Sequence, residues 1–74
     1  MSDAGLKKHS ITINGHRTSI SLEPVFWQAL KEEAKRDGKP LARLVSEIDS
    51  ERRQNLSSAL RVFVFNRLKN RHTP

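Results

Sequence analysis

Seventy-four residues make one small domain, and a chain this short buries too little surface to be comfortable alone. It has no cysteine, which excludes a disulfide framework and a thiolate metal site, and His9, His16 and His72 lack ligand-like spacing. No cofactor and no small-molecule substrate is expected, and the net charge of +6 favours a polyanionic partner.

The charge is unevenly placed. Up to Leu22 the bases Lys7, Lys8 and Arg17 outnumber Asp3; from Glu23 to Arg53 seven acids balance seven bases; from Gln54 onward Arg61, Arg67, Lys69 and Arg71 meet no acid. No N-terminal apolar run marks a signal peptide. The apolar-rich stretch from Leu56 to Leu68 is interrupted by Arg61 and Arg67 and is too short to span a bilayer. The expectation is a cytoplasmic protein.

Residues 1–8 form a polar, glycine-containing arm, expected to be flexible, whose Lys7 and Lys8 can touch phosphates. The domain proper is placed at residues 9–70, with a tail at 71–74. From His9 to Ile13 polar and apolar residues alternate, and Asn14-Gly15 follows, a hairpin signal because both residues tolerate positive φ. A two-residue turn there would set Ile13 opposite His16, Thr12 opposite Arg17, Ile11 opposite Thr18 and Ser10 opposite Ser19. One face then carries Ile11, Ile13, Thr18, Ile20 and Leu22, with His9 and His16. The other carries Lys8, Ser10, Thr12, Arg17, Ser19 and Ser21.

Glu23-Pro24 ends the second strand and opens a helix predicted to run to about Asp37, because proline suits a first helical position. Phe26, Leu30 and Ala34 make its apolar stripe, widened by Val25 and Ala29, with Trp27 at its edge. Gly38 is predicted to cap it in the left-handed region. Lys39-Pro40 opens a second helix, ending near Arg53, with Leu41, Leu44, Val45 and Ile48 as its stripe. Asn55 is placed to cap a third helix carrying Leu56, Leu60, Phe63, Val64 and Leu68, although Val62-Phe63-Val64-Phe65 has strand propensity. Ala59, Val62 and Phe65 make this helix apolar on more than one side. Glu32-Glu33 and Asp49-Glu51 read as solvated helix faces partnered by Arg36 and Arg53.

A strand running straight into two amphipathic helices, with the Leu22-Glu23-Pro24 junction, the glycine between helices and the Leu-Leu-Val-Ile stripe, resembles the MetJ/Arc-like ribbon-helix-helix superfamily of bacterial DNA-binding proteins. The run Gly15 to Pro24, with Phe26-Trp27, Glu47-Ile48-Asp49 and Asn55 to Val64, is similar to a subgroup of short bacterial proteins carrying little more than this domain. The resemblance implies an α+β, mostly α fold: a ribbon-helix-helix unit with an intermolecular antiparallel β-ribbon, here with an additional N-terminal strand and a third C-terminal helix.

It further implies a homodimer, or a higher oligomer, bound to double-stranded DNA. Ile20, Leu22, Phe26, Leu30, Leu41, Leu44, Val45 and Ile48 would form the dimer core, and a lone copy would have nowhere to bury Ile20 and Leu22. By position Arg17, Ser19 and Ser21 would contact bases. Leu41 and Ala42 would offer free amides to phosphate at the start of the second helix, with Lys39 and Arg43, and with Lys7 and Lys8, adding charge. A two-stranded ribbon fits a major groove roughly 12 Å wide, whereas four strands at about 4.8 Å spacing do not. If the N-terminal hairpin forms in each protomer of such a dimer, the sheet lies across the groove or stays outside it.

The function expected is transcriptional regulation, with the ribbon in the major groove and the second helix clamping phosphates. The alternative is a protein-interaction or oligomerisation module that uses the apolar third helix. A membrane-surface role for Leu56 to Arg71 is the weakest reading. An enzyme is not expected, because no nucleophile lies beside a base with a third group to orient it.

Overall fold

A two-residue turn decides the sheet. Asn14 and Gly15 both adopt positive φ, 53° and 82°, the pair of values that a tight hairpin between twisted strands requires. The computed structural model describes residues 5–71. In it β1 (Lys7–Ile13) pairs antiparallel with β2 (His16–Leu22). The partners are Ile13↔His16, Thr12↔Arg17, Ile11↔Thr18, Ser10↔Ser19, His9↔Ile20, Lys8↔Ser21 and Lys7↔Leu22, the register that the alternation predicts. The additional N-terminal strand therefore forms, within one chain. It begins at Lys7, so Lys7 and Lys8 belong to a strand and not to the expected arm. Residues 1–4 of that arm and 72–74 of the tail lie outside the described residues, and Arg71, expected in the tail, ends α3.

Three helices follow: α1 (Pro24–Arg36), α2 (Leu41–Glu51) and α3 (Leu56–Arg71). Pro24 occupies the first turn of α1, and the Glu23 carbonyl accepts the amides of Phe26 and Trp27, both at 3.0 Å. The other end of α1 closes as a Schellman motif. Gly38 sits at φ 69°, its amide reaches the Lys35 carbonyl, and the Lys39 amide reaches the Ala34 carbonyl, both at 3.1 Å. Asn55 caps α3 through its side chain, accepting the Ser58 amide at 2.9 Å. The aromatic and β-branched run Val62 to Phe65 is helical, because one side of α3 is packed and packing outweighs local strand propensity.

The helices cover one face of the hairpin, with α2 against β1 and α3 against β2, while α1 packs on both other helices. The core joins Ile13, Ile20 and Leu22 of the sheet to Leu30 and Ala34 of α1, Leu44 and Val45 of α2, and Leu60 and Val64 of α3. Phe26, Leu41 and Ile48 pack against it half-buried. This corrects one expectation. Ile20 and Leu22 are 2% and 0% exposed in a single chain, so they need no twin to leave water. Helix α3 supplies the cover that a second copy was expected to bring.

Glu33 is a second correction. It was expected on a wet helix face, yet it is 2% exposed. Arg67 donates to it at 3.0 Å, Arg71 donates to its other oxygen, and Arg36 stands 3.9 Å away. Arg67 also grips Asp37 through two bonds of 3.1 and 2.9 Å and lies over the Phe63 ring. Burial pulls the Glu33 carboxyl upward, but the Arg71 and Arg67 contacts outweigh it and hold the group below its ordinary range. On α2, Asp49 pairs with Arg52 at 2.6 Å, and not with Arg53.

Candidate nucleic-acid interface

The outer face of the hairpin is the polar surface the sequence predicts. Lys8, Ser10, Thr12, Arg17 and Ser19 are exposed and Ser21 is half-buried. The register groups them in three rows: Lys8 with Ser21, Ser10 with Ser19, and Thr12 with Arg17. Short hydroxyl side chains occupy the middle, and a long cation stands at each end. Among the described residues Lys7, Lys8 and Arg17 enter no ion pair, so their charge is available to an anion.

Helix α2 meets this surface at the hairpin turn. The Ser46 hydroxyl donates to the Asn14 side-chain oxygen at 3.3 Å, tying turn to helix. Thr12, Asn14, Ala42, Arg43, Ser46 and Glu47 line a groove of about 380 Å³. One wall is Thr12 and Asn14 of the hairpin, and the other is the first turns of α2. Of the expected site residues only Ala42 and Arg43 line this groove; Arg17, Ser19 and Ser21 do not.

At the helix start the Pro40 carbonyl accepts the amides of Arg43 and Leu44, both at 3.1 Å. The amides of Leu41 and Ala42, the first two helical positions, have no acceptor within the helix. Such amides suit an anion. The neighbouring cations are engaged, however. Lys39 Nζ donates to Glu47 Oε1 at 2.7 Å, and Arg43 Nε to Glu47 Oε2 at 3.4 Å. The Lys39 ammonium, helped by Arg43, holds the Glu47 carboxyl below its ordinary range. An exposed pair of this kind is screened by water and adds little, so a phosphate can compete for both cations.

Glu47 was not among the expected site residues. Its i, i+4 spacing from Arg43 is the signal that points to it. Ser10 and Thr12, placed on this face without a role, stand opposite Ser19 and Arg17 in the register the alternation predicts. The expected core residues Ile20, Leu22, Leu30, Leu44 and Val45 are buried within the chain and are not part of this surface.

Two apolar features lie away from the sheet. Val62, Phe65 and Leu68 are exposed on the outer side of α3. A shallow groove of about 320 Å³ separates α3 from the end of α2, with Ile48, Ala59, Val62 and Phe63 among its walls. Among the described residues no helix is long and apolar enough to cross a membrane.

The family model described as a ribbon-helix-helix domain matches residues 6–68, from just before β1 to the outer half of α3. No curated protein and no solved structure matched the chain significantly. The matched span takes in the hairpin, both predicted amphipathic helices and most of the third, and the chain belongs to the ribbon-helix-helix family.

Proposed function

We propose that this protein is a DNA-binding transcriptional regulator of the bacterial cytoplasm, acting on double-stranded DNA as a homodimer with one protomer on each half-site. Family membership supports a DNA-binding, regulator-like role. In this reading the outer face of the hairpin enters the major groove. Arg17 makes the strongest base contact, bidentate to guanine, and Ser19 and Ser21 add weaker ones. The Leu41 and Ala42 amides, with Lys39 and Arg43, hold one phosphate, and Lys8, on the same face as Arg17, holds another, while Lys7 at the start of the strand shares the opposite face with Leu22. The observation that carries the reading is the exposed polar sheet face with Arg17 and Ser19, whose Thr12 shares a groove with Ala42 and Arg43 at the start of α2.

The test is duplex binding as a function of salt. About four phosphate contacts per dimer give a slope of log affinity against log salt near −3.6. Arg17→Ala should lower the preference between sequences by about 1–3 kcal/mol, whereas Lys39→Ala should weaken all duplexes alike. Absence of binding at low salt, or binding indifferent to salt, refutes the reading.

The exposed Val62, Phe65 and Leu68 favour a second reading, in which α3 mediates association between proteins. Mass measured over a concentration series, with and without DNA, separates the two. Association without DNA that is abolished by Phe65→Ser supports the second.

A further inference from the structure

The two strands of the hairpin present one polar face, yet they stand at different places across it. We propose that β1 is a phosphate-binding strand: Lys8, Ser10 and Thr12 lie over a wall of the major groove and hold its sugar–phosphate backbone, while β2 faces the bases. This rests on the DNA-binding reading above.

The order of elements carries it. β1 fills one edge of β2. A second protomer's strand that completes the ribbon therefore joins at the other edge of β2, and β1 is left outermost. Helix α2 packs against β1 and α3 against β2, so the start of α2 borders the hairpin on the β1 side. There Thr12 and Asn14 share a groove with Ala42 and Arg43. β1 thus lies between the strand that faces bases and the helix start that faces phosphate.

The width agrees. Two β2 strands about 4.8 Å apart fit a groove roughly 12 Å wide. With a β1 flanking each, the outermost strands are three spacings, or about 14 Å, apart. Each β1 then comes down over a backbone and not over base edges.

The side chains suit that place. Lys8, Ser10 and Thr12 share a face with Ser21, Ser19 and Arg17, and all three are exposed. Among the described residues none of the three makes a side-chain hydrogen bond or ion pair within the chain. One ammonium and two hydroxyls can all donate to phosphate oxygens, contacts that position a protein on a duplex without carrying sequence information. From Gly5 to Leu22 the chain has no Asp or Glu, so no carboxylate on the hairpin repels a backbone lying along it.

The experiment uses the full-length protein, a preferred duplex selected from randomised oligonucleotides, and several unrelated duplexes. Ser10→Ala, Thr12→Val, Lys8→Gln and, for comparison, Arg17→Ala are titrated against all of them over a salt series. All four positions are exposed, and valine keeps the strand propensity of threonine. Ser10→Ala and Thr12→Val should each weaken every duplex about three- to tenfold, the size of one hydrogen bond, with the salt slope unchanged. Lys8→Gln should also weaken every duplex and make the slope shallower by about 1 per protomer. None of the three should alter the preference between sequences, which Arg17→Ala should reduce. Neutral methylphosphonate groups placed one at a time along the preferred duplex then locate the contact. At the phosphate that Lys8 holds, the substitution should weaken the parent but not Lys8→Gln.

If Ser10→Ala or Thr12→Val lowers discrimination at particular base pairs and leaves unrelated duplexes bound as before, β1 reads bases and the inference fails. If all three β1 variants bind like the parent, β1 stands clear of the DNA and the inference fails while the functional reading stands. If no duplex binds at low salt, the functional reading falls and takes the inference with it.

Discussion

The imidazole of His9 lies flat on the indole of Trp27, with ring centroids 3.9 Å apart and planes 7° from parallel. The contact fastens the middle of β1 to the first turn of α1. Trp27, expected at the edge of the core, is half-buried there, and His9 stands on the inner face of the sheet. The His9 Nε2 is buried and has no hydrogen-bond partner among the described residues. Ring stacking and an orphaned polar atom therefore oppose each other at one side chain.

Two substitutions separate them. His9→Ala removes the stack and should cost about 0.5–1.5 kcal/mol beyond the lost burial. His9→Phe keeps a flat ring and removes the orphaned nitrogen, so it should be neutral or stabilising by about 1 kcal/mol. Denaturant midpoints of the two variants against the parent check this. A destabilised His9→Phe would show that the imidazole nitrogen has a partner after all.

The arginine cluster on α3 makes stability depend on acid. Glu33 is held below its ordinary range although burial works against this, and Asp37 is lowered mainly by its Arg67 bonds. Glu23 is lowered mainly by Arg61, which donates to it at 2.9 Å. A carboxylate lowered on folding adds stability above its unfolded value, about 4, and that stability is lost as pH falls through the folded value. Melting temperature should therefore hold from neutrality to about pH 5 and fall steeply below about pH 4. Glu33→Gln should cost about 1–3 kcal/mol at neutral pH, because two guanidinium groups lose their charged acceptor. The cost stays near the lower end if the arginines, each about a third exposed, turn to water. In acid the variant and the parent should converge, which a pH series of melts will test.

Which parts of this were legible in the sequence follows from how local each signal is. The hairpin register was readable because Asn14-Gly15 fixes the turn length and the alternation on both sides fixes the faces. The Gly38 and Asn55 caps were readable for the same reason: the residues that make them are within a few positions of one another. The apolar stripes showed which faces are buried, but not against what. Leu22 and Ile20 looked as though they lacked cover because nothing local ties them to Leu60 and Val64, about forty residues on. Glu33 was misread because its partners Arg67 and Arg71 come from another helix, while Arg36, the partner at helical spacing, is the most distant of the three. At the candidate interface the face of Arg17, Ser19 and Ser21 was legible.

The buried core makes α3 part of the fold. Leu60 is fully buried and shares a core with Leu22, Leu30 and Val45. Leu60→Ala should cost about 2–5 kcal/mol, a large share of the roughly 4–11 kcal/mol expected for a chain of this size. Phe65→Ser, on the exposed side, should change stability by no more than about 0.5 kcal/mol. In the absence of DNA the parent should unfold at a midpoint that does not move with protein concentration, because its core is complete in one copy. A midpoint that rises with concentration would restore the second copy to the core.

Glu47 is the residue whose removal should strengthen binding. Its carboxylate holds Lys39 at 2.7 Å and Arg43 at 3.4 Å, beside the free amides of Leu41 and Ala42. A phosphate arriving there meets a negative charge and must take both cations from it. Glu47→Gln keeps the shape and removes the repulsion. The variant should bind every duplex several-fold more tightly, with the salt slope steeper by about 1–2 per protomer as Lys39 and Arg43 both engage phosphate. Sequence preference should not change, since that resides on the sheet face and not at the helix start. Anisotropy titrations of parent and variant at three salt concentrations distinguish the outcomes. Unchanged affinity would mean that the start of α2 does not face the DNA, and the phosphate contacts would then have to come from the hairpin alone.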